Sequence, residues 1–571
     1  MPVNLPIESQ GDALRALAQA GESFIKSFIG DLPRSGLDGA TLHRALASSP
    51  EGREKLAALQ ARYYRDWLEL WAAPDAAAAV NDPSDRRFDA PEWNELPWFR
   101  LVRRLYALNS EYLAELAELA ELAPDTKRRL RFLVRQFIDA TAPTNNAATN
   151  PEAIKAALAS GGQSFARGLG RLTADLARGR ISMTDEAAFE VGRNLAVTPG
   201  DVVYQNEIVQ LIQYRPATTE VYERPLLIVP PFINKYYILD LQPSNSFARF
   251  CVEQGFTTFV VSWRNIPQEL GRLTWDDYIE KGVFRPLRAV REISSSLTLN
   301  ALGFCVGGTL LACALAVLAA RGRRPAGSLT LLASMLDFSD TGDIRVYVDR
   351  EYVERCERDY REGGIVSGSR LAAAFATLRA NDLVWFFVIN NYLLGNDPKP
   401  FDLLYWNADG SNLPGPLYSY YLRNMYLENS LRVPGKLRMQ GTAVDLGKLR
   451  IPAYVLATKE DHIVPWRTAY RSAHLLGGRT EFVLGASGHV AGIVNPANQQ
   501  RRHHWTNPVL LPNPDEWLAA AQRQPGSWWP HWSRWLVSHS GERRPAPATS
   551  GDQRHEPIEP SPGSYVRERS E

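Results

Sequence analysis

Apolar positions along the chain follow two different periods, and the change falls near residue 200. Before it, apolar residues recur every three to four positions, as in LRALAQAGESFIKSFI at 14–29 and LYALNSEYLAELAELAELA at 105–123. That spacing predicts helices with one buried face. DRRFDAPEWNELPWF at 85–99, with two prolines and several aromatic residues, is expected to be a loop. NNAATNPEA breaks the pattern again, and Asn150-Pro151 is a start signal for the next helix. Residues 1–200 are therefore expected to form a mainly helical N-terminal domain, with no catalytic constellation of its own and a default role in packing or association.

After residue 200, short β-rich runs alternate with helical stretches. LLIVP at 226–230, TTFVVSW at 257–263, LTLNALGF at 297–304, SLTLLASML at 328–336, AYVLAT at 453–458 and EFVLGA at 481–486 read as buried strands. Such alternation predicts an α/β fold with a parallel sheet covered on both faces, whose ligands bind beyond the carboxyl ends of the strands. The alternation stops from about 340 to 440, in a stretch rich in Tyr, Trp, Asn and Pro such as WFFVINNYLLGNDPKPFDLLYW. A long insertion after a strand end is expected to form a cap. Residues 201–540 are thus read as a catalytic domain with the cap inserted at about 340–440. Residues 541–571 are proline-rich and polar and are expected to be an extended or disordered tail.

Charge removes some function classes. The 64 basic and 63 acidic residues balance, which leaves no electrostatic footprint for nucleic acid or anionic lipid. The four cysteines have no close pair that suggests a disulfide framework or zinc ribbon. MPVNLPIESQ lacks a basic start and an apolar core, so no signal peptide is expected. The longest apolar run, Thr309 to Ala320, is too short to span a bilayer. A reducing cytoplasmic setting fits these features.

The chemistry centres on Gly303-Phe304-Cys305-Val306-Gly307. It is a G-x-C-x-G form of the nucleophile elbow of α/β-hydrolases, preceded by a strand and followed by the apolar helix TLLACALAVLAA. The glycines leave room for a sharp strand-to-helix turn. Cys305 at a helix N-terminus is favoured as a thiolate, and the Val306 N–H points where an oxyanion would form. Cys313, two turns along that helix, and Cys251 read as core residues, and Cys356 as a bystander. His489, in GASGHVAG, is expected to be the general base, and Asp461, in ATKEDHIVPW, the acid that orients it. The chain order of nucleophile, acid and histidine is that of the fold. Asp337 is the rival acid, because some hydrolases place theirs after the preceding strand. His462 is read as supporting or structural, and His503 and His504 lack a third ligand at metal spacing. The second oxyanion donor is expected in the loop Pro230-Pro231-Phe232-Ile233-Asn234-Lys235, at the N–H of Ile233.

PPFINKYYILDLQP, VSWRN, TWDDYI, GFCVGGT, FDLLYWN, NLPGP, KEDHIVPW, GASGHVAG and GSWWP resemble, in the same order, polyhydroxyalkanoate synthases. The likeness runs from about residue 85 almost to the C-terminus. It implies an enzyme that joins (R)-3-hydroxyacyl groups from coenzyme A thioesters into a storage polyester, with Cys305, Asp461 and His489 as its catalytic residues. The Cys-Val-Gly-Gly-Thr sequence resembles class I members. This implies short-chain units such as 3-hydroxybutyryl, a homodimer, granule-associated partners such as phasins, and a place at the surface of cytoplasmic granules. No cofactor or metal is implied, because CoA is the leaving group of the substrate. Phe304, where class I members often carry Tyr, is read as a departure that leaves the chemistry untouched.

The residues alone leave the acceptor open. A thioesterase or intracellular polyester depolymerase would use the same triad with water. A non-catalytic granule scaffold is a further alternative. GSWWPHWSRWL at 526–536 is either a core helix or a polymer-contacting surface.

Overall fold

The computed structural model describes residues 39–46, 49–72 and 85–570, so the helix expected at 14–29 lies outside the described residues. The chain divides into two compact units: Met1–Asp185 with Ala373–Lys399, and Glu186–Ala372 with Pro400–Glu571. Two expectations change here. The helical unit ends near 185 rather than 200, and the middle of the expected cap belongs to it.

In the helical unit the long helices are Pro50–Ala72, Pro97–Leu119, Pro124–Ala140 and Gln163–Arg178. Proline opens several of them, at the position where its missing N–H costs nothing. Asn150 caps the helix Pro151–Ala159 by accepting the Ala153 N–H. The expected loop at 85–99 contains two short helical turns. Phe88 and Trp93 are buried in it, with Trp93 packed edge-on against Phe88 and Phe99. Its prolines stand at helix starts rather than in a loop, and its aromatic residues form a core. A Cβ on Gly168 would fall 1.9 Å from the Tyr392 carbonyl oxygen. Glycine there lets the helix Gln163–Arg178 meet Val388–Leu393 backbone to backbone. That long-range fit ties residues 373–399 to the helical unit.

The second unit is built on an eleven-stranded sheet. In chain order its strands are β1 Gly200–Gln205, β2 Val209–Tyr214, β3 Leu226–Val229, β4 Thr258–Trp263, β5 Leu299–Phe304, β6 Ala326–Leu332, β7 Ala453–Thr458, β8 Thr480–Gly485, β9 His503–Thr506, β10 Gln522–Pro525 and β11 Glu559–Pro560. Across the sheet they lie 10-9-8-7-6-5-3-4-2-1-11. The six from β3 to β8 are parallel, and the flanking strands are antiparallel. All six runs read from sequence are strands of this parallel core.

Each core strand feeds two hydrophobic layers. Leu227, Phe259, Ala301, Leu331 and Val455 belong to one, and Ile228, Val260, Leu302, Leu332 and Leu456 to the other. This is why the runs are apolar throughout rather than alternating.

The C-terminal residues are not a disordered tail. Arg543–Pro545 pairs with Glu220–Tyr222, and β11 pairs with β1. Tyr565 and Val566 are buried. A polar, proline-rich segment docks here because β1 leaves an open edge. Ile558 and Ser561 donate their N–H groups to Val202 and Gly200, and the intervening Pro560 has no N–H to satisfy.

Candidate active site

The parallel strands end together. Val229 pairs with Gly303, Phe304 with Leu332, Leu332 with Leu456, and Thr458 with Gly485. Cys305 follows Phe304 directly, and Asp461 and His489 stand just past Thr458 and Gly485. The three predicted groups therefore leave the sheet at one end.

Cys305 has φ 53° and ψ −129°, a backbone region that costs energy for a residue with a Cβ. Its N–H donates to the Leu332 carbonyl at 2.9 Å, and its own carbonyl accepts from Gly308 and Thr309, in the first turn of the helix Val306–Ala320. The neighbouring glycines are fixed by contact. A Cβ on Gly303 would lie 2.3 Å from Gly308 Cα, and one on Gly307 would lie 2.3 Å from the Pro230 carbonyl oxygen. The turn is thus pressed against the loop that follows β3, where the Ile233 donor is expected. Phe232 anchors that loop among Trp263, Trp275 and Tyr278, while the Ile233 carbonyl accepts from Ser411 at 3.0 Å.

Cys305 is half-buried, and the other three cysteines are buried. Burial pushes the thiols of Cys251, Cys313 and Cys356 up, which keeps them protonated and inert.

Asp461 Oδ2 lies 2.6 Å from His489 Nδ1. Its other oxygen accepts from the N–H groups of Ile463 and Val464 at 2.9 and 2.8 Å, and Oδ2 also accepts the Thr458 hydroxyl at 3.2 Å. A carboxylate held this firmly keeps the proton on Nδ1 and leaves Nε2 to exchange protons. Burial opposes charge on the imidazole. The nearby Asp461 and Cys305, with hydrogen bonds to both, outweigh it and hold His489 well above its usual value of 6.5. The geometry brings together a sulfur nucleophile, a base and an orienting acid, an arrangement suited to acyl transfer.

The rival groups stand elsewhere. Asp337 accepts from the Ser339 N–H and the Asn429 amide, and sits 4.0 Å from Arg432 and Arg471. The His462 carbonyl accepts from Asp343. His503 and His504 lie on β9, where His503 Nδ1 accepts from Arg523 and His504 Nδ1 faces the Gly526 carbonyl. Among the described residues no group of three or more His, Cys, Asp or Glu could hold a metal ion, and no single helix is long and apolar enough to cross a membrane.

Three contributions to the site were missed from sequence. The Phe304 ring packs against the His489 ring, with centroids 5.6 Å apart and planes at 27°, so this position does touch the candidate base. Trp528 and Trp529 are core residues rather than a surface, and their indole N–H groups donate to the Gly492 and Ile493 carbonyls, fixing the loop that bears His489. The third comes from the inserted segment. Gly415–Tyr421 is α-helical and continues as a π-turn at Leu422–Leu427. In an α-helix, residues five apart point about 140° away from each other. The wider π-turn brings Tyr421 and Tyr426 to one side, where their hydroxyls meet each other and lie near Cys305. Burial pushes both phenols up, so they remain neutral donors. A π-turn has no clear sequence signature.

The chain matches two family profiles. One, described as the N-terminus of poly-beta-hydroxybutyrate polymerase (PhaC), covers residues 84–251, and one described as the alpha/beta hydrolase fold covers 224–496. The chain is 49% identical to the poly(3-hydroxyalkanoate) polymerase subunit PhaC of Cupriavidus necator, over 95% of this chain and 92% of that protein. It is 40% identical to the subunit of the same name from Rhizobium meliloti, over 87% and 82%. To the poly(3-hydroxyalkanoate) polymerase of Methylorubrum extorquens it is 37% identical, over 98% and 95%.

Proposed function

The chain belongs to the poly(3-hydroxyalkanoate) polymerase family, and from that premise we propose that it polymerises (R)-3-hydroxyacyl groups, 3-hydroxybutyryl among them, from their CoA thioesters. The observation that carries the reading is the buried His489, bound to Asp461 at 2.6 Å and acting also on Cys305.

In this mechanism His489 takes the proton of Cys305, and the sulfur attacks the thioester carbonyl. The N–H groups of Val306 and Ile233 hold the oxyanion. The intermediate collapses by breaking the bond to the CoA sulfur, and the His489 imidazolium gives that sulfur its proton. One thioester replaces another, so the acyl group on Cys305 stays activated. Neutral His489 then takes the proton of the 3-hydroxyl of the next 3-hydroxyacyl-CoA, its oxygen attacks the acyl carbon, the bond to the Cys305 sulfur breaks, and the imidazolium returns the proton to that sulfur. The chain, one unit longer and still a CoA thioester, loads Cys305 again. Asp461 holds the imidazole throughout. Phe304 stacks on His489, and Tyr421 and Tyr426 stand beside Cys305 and take up space that water would otherwise fill. No cofactor or metal takes part. The protein acts as a homodimer at the surface of cytoplasmic polyester granules, where phasin-type proteins are its partners.

The reading is tested by incubation with (R)-3-hydroxybutyryl-CoA. CoA release together with insoluble polyester supports it. Release of free hydroxy acid alone would instead mark a thioesterase or depolymerase.

A further inference from the structure

The C-terminal residues bind the loops at the active-site end of the sheet. Lys235, 1% exposed, closes the loop that starts at Pro230, and its ammonium donates to the backbone carbonyl of Glu568 at 2.5 Å. The Glu568 carboxylate takes both of its contacts, at 3.1 Å, from Arg264, which follows β4. Next to it, Asn265 donates to the Arg569 carbonyl at 2.9 Å. Ser570 donates to the Gly410 carbonyl at 3.1 Å, and Arg569 reaches the Tyr405 hydroxyl. Gly410 in turn bridges to Asn234. Residues 568–570 thus touch three loops at once, two of them the loop of Ile233 and its direct neighbour.

A buried ammonium is a costly way to fill space, since an apolar side chain of the same volume would be no less stable. Burial lowers Lys235 from its usual value and nearby Arg569 adds to this, while the charges of Asp409 and Glu568 offset part of it and one carbonyl hydrogen bond holds the ammonium. What a cation provides here, and Leu or Met would not, is direction: it fixes the end of the loop to one point on the C-terminal segment. The loop's other holds are the Phe232 ring among Trp263, Trp275 and Tyr278 and hydrogen bonds to its backbone, from Trp263 to the Pro230 carbonyl at 2.9 Å, from Ser411 to the Ile233 carbonyl and from Trp406 to the Lys235 carbonyl at 2.7 Å.

We infer that residues 568–570 are a strap, and Lys235 a positioning residue, that together set the loop presenting the Ile233 N–H to the oxyanion. The inference rests on the reading of Ile233 as an oxyanion donor and of Cys305 as the nucleophile. It makes the far C-terminus part of the acyl-transfer machinery.

The test compares Lys235→Met and a chain ending at Arg567 with the full wild-type chain, using CoA release from (R)-3-hydroxybutyryl-CoA and alkylation of Cys305 by iodoacetamide. Alkylation uses the nucleophile but forms no oxyanion. Removing an oxyanion donor outright costs about a hundred- to a thousandfold in kcat, so displacing one is expected to cost about ten- to a hundredfold. KM should change by less than about twofold, and the alkylation rate should not change. The double variant should be no slower than the slower single variant, because the shortened chain already lacks the Lys235–Glu568 hydrogen bond that Lys235→Met removes. If the shortened chain fails to fold, Lys235→Met in the full chain decides alone. A kcat within about threefold of wild type for Lys235→Met overturns the strap, as does an alkylation rate that falls in step with kcat. A Cys305→Ala chain that still releases CoA at the wild-type rate overturns the reading beneath it. An inactive Cys305→Ala chain beside a fully active Lys235→Met chain overturns the strap alone.

Discussion

Replacing Asp461 with Asn removes one charge and keeps the shape of the side chain. The structure fixes how the new amide must lie. The N–H groups of Ile463 and Val464 claim one oxygen at 2.9 and 2.8 Å, so the amide oxygen stays there and the NH₂ group faces His489 Nδ1. The imidazole must then accept at Nδ1 and carry its proton on Nε2, where it cannot receive one from Cys305. The charge effect points the same way. The contact is 2.6 Å between atoms, which places the charge centres of carboxylate and imidazolium roughly 3–4 Å apart, and an effective dielectric of about 20 gives about 4–5.5 kcal/mol. At about 1.36 kcal/mol per decade, kcat should fall by about 10³ to 10⁴. The assay is the initial rate of CoA release, followed by chromatography, on protein whose fold is checked by thermal melting. Asp337→Asn serves as the comparison and should stay within about threefold of wild type in kcat. An Asp461→Asn enzyme within about tenfold of wild type, or an Asp337→Asn enzyme equally slow with its fold intact, refutes the reasoning.

Other outcomes follow from the same geometry. Gly308→Ala puts a Cβ 2.1 Å from Ser334 Oγ, so its melting temperature should drop and be partly restored by Ser334→Ala, whereas Gly303→Ala meets backbone and should not be rescued in this way. Trp528→Phe deletes the donor to the Gly492 carbonyl, and urea unfolding should register a loss of about 1–2 kcal/mol; kcat should fall with KM little changed, because the His489 loop loosens. Stability should also depend on pH through His489. Its value in the fold lies above its usual 6.5, so the protonated pair stabilises the fold fully below that pH, and the contribution is lost as pH rises through the raised value. The melting-temperature advantage of wild type over Asp461→Asn should therefore be largest near about pH 6 and shrink on the alkaline side.

The elbow and the triad were legible because their signals are local or ordinal. Glycines flanking a cysteine between a strand and an apolar helix force one turn, and the order of Cys305, Asp461 and His489 follows from the strand ends. The parallel strands were legible because burial on both faces makes them continuously apolar. β2 was not, because buried Gln210 and Gln213 interrupt that pattern, nor was β1, whose short apolar run lies between Asp201 and Gln205. Gln210 is satisfied by Glu559 and Ser564, more than three hundred residues along the chain. The same pairing explains why a tail judged by its own composition read as extended or disordered: its partners lie on the edge of a distant strand. The cap's division is of this kind too, since the fit of Gly168 to Tyr392 joins segments far apart in sequence. The tryptophans of GSWWPHWSRWL could be counted in the sequence, but their hydrogen bonds to the His489 loop depend on the closed fold.

The central claim is that the growing acyl chain is carried on Cys305. Brief incubation with (R)-3-hydroxybutyryl-CoA, acid quench, digestion and mass spectrometry of the peptide containing Cys305 test it most directly. The account predicts that this peptide gains the mass of one or more 3-hydroxybutyryl units, that the gain is released by hydroxylamine, and that Cys305→Ala neither gains it elsewhere nor makes polymer. Acylation found on another residue with Cys305 unmodified, or polymer made by Cys305→Ala, would contradict it.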